Sequence, residues 1–152
     1  MIRSTEERIS FDRITDFVYL GSRVSSVDDF HRLGAHGIRA AVDMREEGGD
    51  PWHFHAFLWL PTVDHTPPSV VHLKMGIAFL RQCERARLPV FVHCTAGVGR
   101  SPTMVLAHLL AGAFRESGTT AALEHIAARR GVINPSPAQI RAAEAAAREF
   151  AD

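Results

Sequence analysis

Apolar residues in this chain fall into short runs separated by polar, glycine-rich and proline-rich breaks, and the period of each run predicts an element. Residues 14–22, ITDFVYLGS, read as a short strand ending at Gly21. Residues 25–37 read as a helix, with Ser25 or Ser26 as the cap, Asp28 and Asp29 in the first turn, and Gly34 and Gly37 at the close. Residues 38–45, IRAAVDMR, predict a buried strand, and residues 54–61, FHAFLWLP, predict an aromatic strand stopped by Pro61. EEGGDP, at 46–51, is the loop between them, and TPPS marks a turn after the second strand. From Ser69 to about Arg87, Val70, Leu73, Ile77 and Leu80 recur at helical spacing. LPVFVHC, at 88–94, is fully apolar until its last two residues, as in strands covered on both faces. Three helices follow, over 101–114, 119–131 and 136–151. Pro102 stands in the first turn of the first of them, where proline is accepted. The pattern predicts an α/β domain, residues 1–152 as one unit, with a central, mostly parallel sheet flanked by helices. It leaves the strand order open.

Composition changes this picture little. An apolar share of 46% over 152 residues can fill a sizeable core. Lys and Arg together number 17, as do Asp and Glu, so any anion site must be local. The balance gives no argument for nucleic acid or a membrane surface as a partner. The charged start, MIRSTEERISFDR, has no apolar core of a secretory signal, and no run approaches the ~20 residues needed to span a bilayer. Two cysteines are too few for a disulfide scaffold. The expectation is a cytoplasmic monomer.

Chemistry concentrates in HCTAGVGRS, residues 93–101. A strand leads into this loop and a helix leads out. The helix start offers unpaired backbone N–H groups and partial positive charge. Gly97 and Gly99 let the loop curl those groups inward around an anion. Cys94 lies at the base of this cradle, where the same field favours a thiolate nucleophile. Arg100 presents a planar fork that matches two phosphoryl oxygens. The competing reading is a small buried cysteine before a glycine turn.

The sequence Cys-x5-Arg-Ser, with the apolar strand before it and Ser-Pro after it, resembles the active-site loop of the cysteine-dependent protein tyrosine phosphatase superfamily. Asp64, in LPTVDHTPPS, precedes Cys94 by thirty residues. That order resembles the compact dual-specificity phosphatases. It departs from the low-molecular-weight branch, where the aspartate follows the loop. The resemblance runs from about Ile14 to Phe150 and includes VYLGS, AAVDMREE, AHLLAG and RRGVINPSP. It implies Cys94 as nucleophile, Asp64 as acid and then base, and Ser101 as the hydroxyl that helps the thiolate leave. Thr95, Ala96, Gly97, Val98, Gly99 and Arg100 form the phosphate-binding loop, and His93 supports it from behind. It implies no cofactor and no metal. The expected substrate is phosphotyrosine in proteins, with phosphoserine and phosphothreonine if the cleft is shallow. The alternatives are a non-protein phosphomonoester (phosphoglucan, phosphoinositide or another small one) and a phosphate reader without turnover. The uncharged loop middle, TAGVG, argues mildly against a polyphosphorylated headgroup.

Other residues carry two readings each. Cys83 is either a resolving partner of Cys94 or a semi-buried structural thiol, the second being favoured. His53 and His55 share a strand face, but no further metal ligands stand at a diagnostic spacing. Trp52 and Phe54 fit a substrate groove or the core equally. Arg129 and Arg130 fit a second anion site at the rim, or, more simply, a solvated helix end that favours cations. The resembled family usually carries asparagine at the position of Ser136.

Overall fold

The computed structural model describes residues 8–150. Its elements, in chain order, are β1 (Phe11–Arg13), β2 (Val18–Gly21), α1 (Val27–Ala35), β3 (Ala40–Asp43), β4 (Ala56–Trp59), α2 (Val70–Arg85), β5 (Val90–His93), α3 (Arg100–Ala111), α4 (Thr119–Arg129) and α5 (Pro137–Glu149). The strands form a single sheet in the order β1-β2-β5-β3-β4. All pairings are parallel except β1 with β2. The domain is therefore α/β with a mostly parallel sheet, as the periodicity predicts.

One strand was not legible. FDR, within the charged start, forms β1 and folds back on β2, with Phe11 opposite Gly21. The run 14–22 thus contains the end of a turn as well as a strand. Thr15 Oγ1 accepts from the backbone N–H groups of Phe17 and Val18, and Ile14 N–H donates to Val18 O. This local bonding competes with an extended backbone and delays the strand to Val18.

Alternation along each strand sorts side chains between the faces. Val18, Leu20, Ala40, Val42, Val90 and Val92 join the main core beneath α2 to α5. Phe91 turns the other way, into a smaller cluster with Ile9, Val24, Leu33 and Ile38 under α1. Trp52 and Phe54 pack on that smaller cluster. β4 is the sheet edge and leaves Phe57 and Trp59 exposed while Ala56 and Leu58 are half-buried against the main core.

Helix starts follow local chemistry. Ser26 caps α1 by accepting from Asp29 N–H, and Ser69 caps α2 through His72 N–H. Ser136 caps α5 in a reciprocal box with Gln139. α3 differs: every residue from Arg100 to Ala111 is buried, and no side chain caps its start. Its free N-terminus points to the loop after β5, the middle strand of the sheet.

Candidate active site

The loop from Cys94 to Arg100 is fixed through its carbonyl groups. Thr95 O accepts from Arg23 N–H at 3.0 Å, and Val98 O accepts from Asn134 N–H at 2.8 Å. Ala96 O accepts from Arg130 Nη2 at 3.0 Å, and Gly97 O accepts from Arg130 Nε at 2.9 Å. Gly99 O takes both Thr103 N–H, at 3.1 Å, and Thr103 Oγ1, at 2.7 Å. Each carbonyl from 95 to 99 is thus held by the scaffold. The amide N–H groups of 95–100 have no partner among the described residues. A backbone with its acceptors turned outward offers its donors to an anion in the middle.

Gly97 is required by this curl. Its φ is +73°, and a Cβ there would stand 2.6 Å from Arg130 Nη2 and from the Gly21 carbonyl. Cys94 is buried at the loop's base, with Sγ 3.1 Å from Ser101 Oγ in the first turn of α3. Arg100, 3% exposed, donates from Nη1 to Thr62 O at 2.8 Å and from Nη2 to Thr95 Oγ1 at 3.1 Å. Its Nε lies 3.3 Å from Asp64 Oδ1, at ion-pair distance but without hydrogen-bond alignment. The guanidinium therefore joins the loop to the segment that carries Asp64.

Asp64 sits in the turn between β4 and α2, its carboxylate more than half exposed. Oδ1 accepts from His65 N–H at 2.9 Å, and His65 has φ +66°. Gln139, buried in the first turn of α5, donates to Thr66 O at 3.2 Å and so ties this turn to the helical layer. The structure brings Cys94, Arg100, Ser101 and Asp64 to one place. His93 lies behind them, buried and stacked on Phe91 at 5.0 Å.

His93 borders a buried charge cluster. Asp43 takes a bidentate contact from Arg45, whose Nη2 also reaches Asp50 at 2.7 Å. His93 Nδ1 stays 3.9 Å from Asp43 and has no hydrogen-bond partner among the described residues. Burial holds the imidazole pKa below its usual value, against the opposing pull of Asp43. Cys83 is free and buried in α2. Burial, with Glu84 adding, pushes its thiol up to about 11.

Arg130 corrects the reading of the Arg129–Arg130 pair. It is 3% exposed rather than solvated, and besides the two loop carbonyls it binds Ser10 Oγ at 2.9 Å and Asp12 Oδ2 at 3.0 Å. Asp12 is 118 residues away, so no local pattern announced the pairing. Ser136, where asparagine was expected, caps α5, while the backbone of Asn134 takes Val98 O.

The family model for the dual specificity phosphatase catalytic domain matches residues 18–146. Dual specificity protein phosphatase 5 of Rattus norvegicus is 31% identical over 126 residues, 81% of this chain and 32% of that protein. Phosphatidylglycerophosphate phosphatase PTPMT2 of Arabidopsis thaliana is 28% identical over 142 residues, 88% of this chain and 61% of that protein. This chain thus spans about a third of the first and three fifths of the second. The crystal structure of PTPMT1 in complex with PI(5)P is 26% identical, with a TM-score of 0.78 over 91% of this chain and 95% of that one.

Replacing Arg130 frees two loop carbonyls without touching Cys94. Arg130→Ala is expected to cut kcat by about 10²-fold, the size of a loss from ångström-scale misplacement. Arg130→Lys should restore only part of it, and steady-state kinetics on folded protein check this. His93 is held neutral, so the stability it contributes is present above its unfolded value of 6.5 and lost as pH falls below it. Urea unfolding between about pH 7 and pH 5 should show an acid-side loss with a slope of at most about 1.4 kcal/mol per pH unit from this group. His93→Gln should flatten that slope.

Proposed function

Because this chain belongs to the dual specificity phosphatase family, we propose that it hydrolyses phosphomonoesters through a phosphocysteine intermediate. The observation that carries this reading is Cys94 Sγ, 3.1 Å from Ser101 Oγ, at the floor of a loop whose carbonyls from 95 to 99 bond outward. Arg100 and Asp64 meet at the same loop.

In the first step the Cys94 thiolate attacks phosphorus and the bond to the leaving oxygen breaks. Asp64 gives that oxygen its proton. The amides of 95–100 and the Arg100 fork hold the three equatorial oxygens as charge spreads over them. Substrate oxygens would take the guanidinium N–H groups that now bond Thr62 O and Thr95 Oγ1. In the second step water attacks phosphorus, Asp64 accepts its proton, and the thiolate departs with the Ser101 hydroxyl beside it. No step needs a metal or an organic cofactor, since the loop supplies the positive field.

Two substrate readings follow. Phosphotyrosine in proteins, with phosphoserine and phosphothreonine in a shallow cleft, accords with relatives named as dual specificity protein phosphatases. A non-protein phosphomonoester accords with the lipid-named relative and with the PI(5)P complex of PTPMT1. A site without turnover is the least supported, because nucleophile, arginine and acid are all present. The location expected from the residues is cytoplasmic, and among the described residues no helix is long and apolar enough to cross a membrane.

Cys94→Ser should lower hydrolysis of 4-nitrophenyl phosphate by at least about 10³-fold while phosphate still protects the fold in thermal melts. Hydrolysis at the wild-type rate would remove Cys94 from the mechanism. Asp64→Asn should cost about 10²-fold on alkyl phosphates and far less on 4-nitrophenyl phosphate, whose leaving group needs little protonation. Equal losses on both would count against Asp64 as the acid.

A further inference from the structure

We propose that a cavity beside the catalytic loop is a second anion subsite, which takes the second phosphate of a small phosphorylated headgroup. The proposal rests on the hydrolase reading above and decides between its two substrate readings in favour of the non-protein one. The cavity has a volume of about 560 Å³ and is lined by Arg8, Ile9, Ser10, Ser22, Arg23, Ser25, Thr95 and Ala96. Thr95 and Ala96 follow Cys94 directly, so cavity and cradle share a wall.

Among the described residues the charge of this wall is one-sided. Arg8 and Arg23 are exposed, and neither guanidinium has a carboxylate partner among the described residues. Among the described residues no acidic side chain lines the cavity. Two nearby carboxylates among the described residues are already engaged. Asp12 pairs with Arg130 at 3.0 Å, and buried Asp29 accepts from Ile9 N–H and Ser25 N–H. Ser10 Oγ accepts from Arg130, and Ser22 Oγ accepts from Ser10 N–H. Both hydroxyls keep a proton to donate. Two cationic forks and two hydroxyl donors suit a phosphate oxygen cluster.

Position selects the ligand. Arg23 is held to the loop by its own backbone, through Thr95 O at 3.0 Å, so its side chain starts from a point tied to the residue after Cys94. A group touching Thr95 and Ala96 lies near the level of the bound phosphoryl group. In a phosphopeptide the ring of phosphotyrosine stands between phosphate and backbone, which keeps a second charged residue away from that level. A compact headgroup bears a monoester and a second phosphate only a few bonds apart. The cationic pair is also what the uncharged loop middle lacked: here the arginines come from outside the loop.

The test compares substrates whose leaving oxygen is the same primary hydroxyl of a glycerol unit. Glycerol 3-phosphate carries the monoester alone. Glycerophosphoglycerophosphate adds a phosphodiester, and short-chain phosphatidylglycerophosphate adds acyl chains as well. The wild type should prefer the two diester-bearing substrates in kcat/KM. Replacing both Arg8 and Arg23 by Ala should lower that preference by about tenfold, the scale of partly exposed charge-assisted bonds. Arg23→Lys should keep part of it, and Arg23→Glu should lower it further. A preference shared by both diester substrates assigns the subsite to the headgroup of either a soluble or a lipid molecule. A preference confined to the acylated one assigns it to a lipid. An unmoved ratio overturns the subsite, as does an arginine dependence seen only with a doubly phosphorylated peptide. If 4-nitrophenyl phosphate is hydrolysed in a Cys94-dependent way while the ratio is unmoved, only the subsite falls. If no substrate shows Cys94-dependent turnover, the hydrolase reading falls and takes the subsite with it.

Discussion

The outward tethering of the carbonyls of residues 95 to 99 is the constraint on which the rest of the site depends. A peptide unit cannot turn its oxygen one way without turning a neighbouring N–H the other. Fixing five successive acceptors into the scaffold therefore presents a run of donors to one point. The anchors come from four places: the start of α1's approach at Arg23, the end of α4 at Arg130, the turn at Asn134 and the first turn of α3 at Thr103. An anion bound there meets groups whose orientation has already been set, so little reorganisation remains at the moment of reaction.

Arg130 shows what this arrangement costs and how it is stabilised. A buried guanidinium loses its hydration and survives only with acceptors on several sides. It has four here: two loop carbonyls, Ser10 and Asp12. Short, antiparallel β1 is thereby more than an edge strand, since it supplies the counter-charge for the residue that shapes the loop. Arg100 is the second buried cation, and it faces the other way, toward Thr62 and Asp64. One arginine sets the back of the cradle and the other its front. The layer beneath adds a third buried cation, Arg45, paired with buried Asp43, beside which His93 stays neutral.

The same tethers place the groups around the cradle. Arg23 is an exposed side chain on a backbone bonded to the loop, and so a rim charge springs from a point tied to the residue after Cys94. Gln139 does likewise for the turn that carries Asp64, holding Thr66 O from the start of α5. Helix α5 contributes no catalytic group, yet its capped first turn bears on where Asp64 stands.

The sequence by itself determined the nine-residue core of the site. Cys94, Gly97, Arg100 and Ser101 lie within one strand–loop–helix unit, where spacing alone places them together. Most elements were legible for the same reason, because helical and strand periods are local. Asp64 came from the resemblance to a family rather than from its neighbours, which read as a solvated turn. Only the tertiary structure decided the partners of Arg130, Asp12 and Gln139. Arg130 meets Gly97 across 33 residues and Asp12 across 118, and no periodicity connects positions so far apart. Whether an arginine is a solvated helix end or a buried clamp depends on which acceptors surround it, and strand order and helix packing supply those acceptors.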